Sequence, residues 1–98
     1  MILVWTPAAL RDRDHHDRRM AMDSPRAAIA PVDLVLPQIE ALLDDPELGR
    51  RRRVQGTREL VIARTSFVVI YRVRPKQQRT EILRLLHGAQ QWPPLPEG

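Results

Sequence analysis

The sequence predicts an α+β domain in which a strand and two helices precede a block of three further strands. Three observations carry this. Short runs within Gly56–Val73 and Glu81–Gly88 are rich in β-branched and aromatic residues and are separated by polar or proline-containing breaks, which suits strands and not helices. Between Ile29 and Leu43 apolar residues return every three or four positions, the spacing of one helix face. Thr6-Pro7 and Ser24-Pro25 each place a capping hydroxyl before a proline, the signature of a helix start. All four strands are expected to form one antiparallel sheet, with both helices on one of its faces.

Met1 to Trp5 is short and apolar, as an edge strand would be. The first helix is predicted from Pro7 to about Met22, with Thr6 as its cap. Its apolar stripe is poor, because Arg11 to Arg19 contains no large apolar residue. Intrahelical pairs such as Asp14 with Arg18 would contribute only about 0.2–0.5 kcal/mol each. The second helix is predicted from Ser24-Pro25 to about Asp44, with Ile29, Val32, Val35 or Leu36, Ile39, Leu42 and Leu43 facing the sheet. Pro31 and Pro37 interrupt it. An interior proline removes a hydrogen bond and costs about 3 kcal/mol, so a kink or break is expected between Asp33 and Pro37. Asp45 to Gly49 reads as a turn, Arg74 to Arg79 as a polar hairpin loop, and Trp92 to Gly98 as an extended proline-rich end pinned by Trp92. The boundaries are one domain over 1–93 and a tail over 94–98.

With 98 residues the chain has room for one modest core. Having no cysteine, it has no disulfide, thiolate nucleophile or zinc–sulfur site, and no apolar run approaches the roughly 20 residues that span a bilayer. A soluble cytoplasmic protein without contact to a membrane is expected. Charge is unevenly placed. Residues 1–48 hold five arginines against nine carboxylates, whereas residues 49–98 hold ten arginines and Lys76 against three. The second half is thus the one that attracts polyanions.

Strand alternation sharpens this. Arg58, Leu60, Ile62 and Arg64 share one face of the first strand of the block, Val68, Ile70 and Arg72 of the second, and Ile82, Arg84 and Leu86 of the third, so arginine is expected on one face of every strand. Glu59 falls on the other face from Arg58, and His87 in step with Leu83 and Leu85.

Gly49-Arg50, Gly56 to Leu60, Ile70-Tyr71-Arg72-Val73 and Ile82 to Pro93 together resemble the toxins of bacterial type II toxin–antitoxin pairs in the RelE/ParE superfamily. Val4 to Ala9 and Ser24 to Ala28 resemble the first strand and the two helix starts of that family in the same order. The resemblance implies a cognate antitoxin whose C-terminal segment wraps the toxin in a hetero-oligomer. Messenger-RNA-cleaving members that work on the ribosome carry an arginine where Val68 stands, and a basic or aromatic set at the sheet's C-terminal end that only His87 answers. The resemblance is therefore closer to the ParE branch, which implies poisoning of DNA gyrase; a RelE-like ribosome-dependent endonuclease, or a degraded toxin that only binds antitoxin, are the alternatives.

A ribonuclease without metal needs a base at the 2′-hydroxyl, cations at the scissile phosphate and an acid at the leaving oxygen. Glu59, Arg64, Arg72, Arg84 and His87 are the residues that could supply these. For contact with a target or a nucleic acid the candidates are Arg50, Arg51, Arg52, Arg53, Arg58, Arg64, Arg72 and Arg84. Arg72 and Arg84 could instead pair with Glu59 or Glu81, and His87 could simply be hydrogen-bonded at a strand end. His15-His16-Asp17 is no metal site at helical spacing, since neighbouring side chains diverge by about 100°. No cofactor is expected.

Overall fold

The computed structural model describes residues 1–23 and 31–88, with the backbone alone for 17–23 and 31–32. Its elements are β1 (Ile2–Trp5), α1 (Pro7–Asp23), α2 (Pro31–Glu40), β2 (Arg50–Arg51), β3 (Thr57–Val61), β4 (Phe67–Arg74) and β5 (Arg79–His87), in one sheet of order β1-β5-β4-β3-β2. The helices pack on one face of that sheet. Their contact is a core of Ala9, Val35, Ile39 and Leu42 against Ile62, Phe67, Val69, Tyr71, Ile82 and Leu85, with Leu3, Trp5, Leu60 and Val73 at its margin.

Two features of the sheet differ from expectation. β1 runs parallel to β5, with Ile2 beside Arg79 and Trp5 beside Ile82, because the chain crosses the whole sheet through both helices before β5 is laid down against it. A fifth strand is also present, since Arg50 and Arg51 pair antiparallel with Glu59 and Arg58. β3, β4 and β5 form the expected antiparallel meander.

The helix starts and turns follow their local chemistry. Thr6 Oγ1 accepts the Ala9 N–H at 3.2 Å and donates to the carbonyls of Ile82 and Leu83, so this cap also staples the helix start to β5. α2 continues through Pro37, so of the expected kink or break the break does not occur. Asp33, whose carbonyl would have received the missing hydrogen bond, is exposed, so water can take its place. The helix tightens into a 3-10 turn over Ala41–Leu43. The hairpin between β4 and β5 closes through a 3-10 turn over Pro75–Gln77, with Gln78 in the left-handed region at φ 52°. The expected helix start at Ser24-Pro25, the tail over 94–98 and the anchoring role of Trp92 lie outside the described residues.

α1 docks by polar contacts where its apolar stripe fails. On the helix period Ala9 is followed by Asp12 and His16. Asp12 Oδ2 accepts the Leu85 N–H at 2.9 Å, and His16 Nε2 donates to the Leu85 carbonyl at the same distance. Beyond the end of β1, then, two helix side chains take the place of a strand at the edge of β5. The turn after β3 is held in the same way. Gln38 of α2 accepts the Ala63 N–H at 2.7 Å and donates to the Ala63 carbonyl at 3.2 Å.

Candidate functional site

Register decides which candidate residues share a face. Across β2 to β5, Arg50, Glu59, Ile70 and Arg84 form one row, and Thr57, Arg72 and Glu81 the next, both on the face away from the helices. Arg51, Arg58, Tyr71 and Ile82 form a row on the helix face, as do Phe67 and His87. A bulge accounts for the change from simple alternation: Tyr71 pairs with Ile82 but Ile70 pairs with Arg84, leaving Leu83 without a partner and reversing the faces along β5. The expected single cationic face is not formed, because the β3–β4 register sets Arg58 opposite Tyr71, while the bulge brings Arg84 onto the face of Arg72. Arg58 is on the helix side, Arg72 and Arg84 on the other, and Arg64 is on neither, because it sits in the β3–β4 turn at φ 65°.

Most of the candidate arginines are engaged within the molecule. Arg84 donates to Asp12 through Nε at 2.6 Å and Nη2 at 2.9 Å, which raises its already high pKa. Arg72 donates to Glu81 Oε1 at 3.1 and 2.9 Å. Arg74 and Arg79 reach the same carboxylate at 3.2 and 2.9 Å, so three guanidinium groups surround Glu81. Burial alone would push the Glu81 carboxyl up; hydrogen bonds from Arg72 and Arg74 and the charge of Arg79 outweigh it and hold the group below its ordinary range. Glu59 is gripped by Arg50, and by Arg52 at 2.5 Å.

Arg58 donates to the Gly49 carbonyl at 2.8 Å. Arg51, Arg53 and Arg64 are exposed. Arg64 apart, the candidate arginines with room for an outside partner are thus at the β2 edge, where Arg51 to Arg53 and Gln55 to Arg58 line a cleft of about 560 Å³.

His87 lies on the helix face. Its ring meets Phe67 at 5.2 Å between centroids, and Phe67 in turn meets His16 at 4.9 Å. Burial lowers the His16 pKa against the opposing influence of the Leu85 carbonyl and Asp12, so the ring is held neutral with its proton on Nε2. The five nuclease candidates are consequently not gathered at one point: Glu59, Arg72 and Arg84 occupy one face, His87 the other, and Arg64 a turn.

Asp12, His16 and Gln38 were not marked as organising residues by the sequence. Only the helical spacing of Ala9, Asp12 and His16 could have found the first two, had polar residues been admitted to the stripe. Among the described residues no cluster of three or more His, Asp or Glu is placed to hold a metal, and no helix is long and apolar enough to cross a membrane.

Comparison with known proteins agrees with this architecture. The model of the family described as the ParE toxin of the type II toxin–antitoxin system parDE matches residues 3–92. The protein Y4kP of Sinorhizobium fredii is 37% identical over 89 residues, covering 91% of this chain and 90% of its own. Among solved structures, one from the chromosomal ParDE system of P. aeruginosa superimposes with a TM-score of 0.77 at 27% identity, covering 90% of this chain and 96% of its own. The isolated E. coli RelE toxin shares the fold, with a TM-score of 0.64 at 10% identity over 93% of this chain and 87% of its own. With the helix pair, the sheet and nearly the full length matched, the chain belongs to the ParE toxin family of type II toxin–antitoxin systems.

Proposed function

We propose that this chain arrests growth by poisoning DNA gyrase, and that a cognate antitoxin neutralises it by wrapping its C-terminal segment around the fold. Family membership supports the toxin role, and the solved relative from P. aeruginosa comes from a chromosomal ParDE toxin–antitoxin system. The observation that favours gyrase over messenger RNA is the dispersal of the acid–base candidates. Glu59 is held between Arg50 and Arg52, Arg84 is held by Asp12, and His87 packs on the opposite face beside Phe67. Cleavage without metal needs a base, an acid and phosphate cations that each reach the same scissile phosphodiester. The polar docking of α1 and the continuity of α2 also argue for an intact toxin rather than a degraded one.

The test places purified toxin in gyrase supercoiling reactions and, separately, with messenger RNA on translating ribosomes. Inhibited supercoiling, relieved by the antitoxin, with intact messages, is the expected result. Unaffected gyrase at high toxin excess removes the proposal, and message cleavage lost in Arg84→Ala or His87→Ala replaces it with the nuclease.

A further inference from the structure

The β2 edge carries positive charge that the fold leaves in place. Arg51 stands directly opposite Arg58 in register, and like charges in that position destabilise a strand pair. The neighbouring carboxylate, Glu59, is already taken by Arg50 and Arg52 in the adjacent row. Arg58 is steadied by the Gly49 carbonyl, while Arg51 and Arg53 are exposed and engage no hydrogen-bonding or ionic partner among the described residues.

The cleft between these groups has a distinctive lining. Among the described residues it consists of arginines together with Gln55, Gly56 and Thr57, with no carboxylate, aromatic or aliphatic side chain. Its floor is open: Gly56 is left-handed at φ 80°, and a side chain built there would meet nothing within 4 Å. An amphipathic peptide needs apolar pockets to anchor it, and unpaired bases need aromatic rings to stack on. A wall of guanidinium and amide donors instead matches phosphate oxygens, which arginine binds in a bidentate fork.

We propose that this cleft is a phosphate site that grips the backbone of double-stranded DNA, with Arg51, Arg53 and Arg58 as its cations. Arg72 and Arg84, committed to Glu81 and Asp12, are no part of it. The bound phosphates offset the repulsion between Arg51 and Arg58. The site is independent of the gyrase reading, since it concerns the nucleic acid and not the enzyme acting on it.

The experiment measures anisotropy of a labelled short duplex of arbitrary sequence against the full chain at rising salt. Three phosphate contacts predict about a forty-fold loss of affinity between about 50 and 200 mM salt, and the double variant Arg51→Ala/Arg53→Ala, keeping one contact, loses only about three- to four-fold over that range. Arg64→Ala removes an equally exposed charge elsewhere and leaves duplex affinity unchanged. Circular dichroism confirms that the variants fold, as expected for exposed side chains without partners among the described residues. An unchanged salt slope in the double variant overturns the site, and an equal loss in Arg64→Ala reduces it to diffuse charge. Tighter binding of the matched single strand or of polyglutamate, lost with the same two arginines, assigns the cleft to another ligand and overturns the duplex proposal.

Discussion

Tyr71 shows how one side chain can set the path of a loop. Fully buried in the central strand, it donates its hydroxyl proton to the Pro46 carbonyl at 2.7 Å and accepts the Gly49 N–H at 2.8 Å. Burial pushes the phenol pKa up, so the neutral form that makes both bonds is favoured. The loop passes so close that a Cβ on Gly49 would lie 2.5 Å from the Glu59 carbonyl and 2.7 Å from the tyrosine ring. Tyr71→Phe leaves a buried donor and an acceptor unmet, and a loss of about 1–3 kcal/mol is expected in urea unfolding. A change near zero would show that water replaces the hydroxyl. Gly49→Ala is expected to cost at least about 1–3 kcal/mol, because the atom it strikes first is backbone and cannot turn aside. Since this loop leads directly into Arg50 to Arg53, both variants should also weaken whatever binds at the β2 edge.

At the scale of elements, the helices are tied to the sheet by side chains that take up peptide groups at the edge of β5 and in the turn after β3. Asp12 and His16 together satisfy the Leu85 peptide group, and Gln38 alone satisfies that of Ala63. Asp12→Ala should cost about 1–3 kcal/mol, because it strands the Leu85 N–H and a partly buried Arg84. Asp12→Asn, which keeps an acceptor, should cost less. If the two variants unfold at the same urea concentration, the carboxylate does not hold the helix. This polar docking is why the sequence only partly disclosed the fold. The meander, the helix starts at Pro7 and the turn after Asp44 were legible because strand composition, caps and prolines act locally. α1 shows no docking face in its apolar periodicity because the residues that dock it, Asp12 and His16, are polar. The site was harder still to read. The β3–β4 register sets Arg58 on the helix face, and the left-handed turn at Arg64 removes that side chain from its strand, so period-two counting joins these two to Arg72 and Arg84, from which the fold keeps them apart; one extra residue at Leu83 divides Ile82 from Arg84. Neither a bulge nor a turn conformation without glycine leaves a signal in strand composition.

For the molecule as a whole, the ion pairs and the histidine cluster make stability a function of pH in two separate windows. His16 is held neutral by burial, its pKa below the ordinary 6.5. The unfolded chain therefore takes up a proton at this residue before the folded one does, and stability present above pH 6.5 is lost as the pH falls toward the folded value. Glu81 behaves likewise at lower pH. Its folded pKa lies below 4.5, so its contribution is complete above that value and is lost as the pH drops through the folded one. Both losses have the same sign, and the folded state is expected to weaken on acidification, first as the histidine protonates and again as the carboxylate does. Urea midpoints measured across this range separate the two. His16→Gln retains a side chain able to donate to the Leu85 carbonyl but does not titrate, so it should flatten the upper window and leave the lower one. Glu81→Gln should flatten the lower window, at a cost in stability at neutral pH, where Arg72, Arg74 and Arg79 would lose the carboxylate that now lies among them. An upper window that persists unchanged in His16→Gln would move the effect to another histidine, and with it the claim that the docking of α1 on β5 is what acid weakens first.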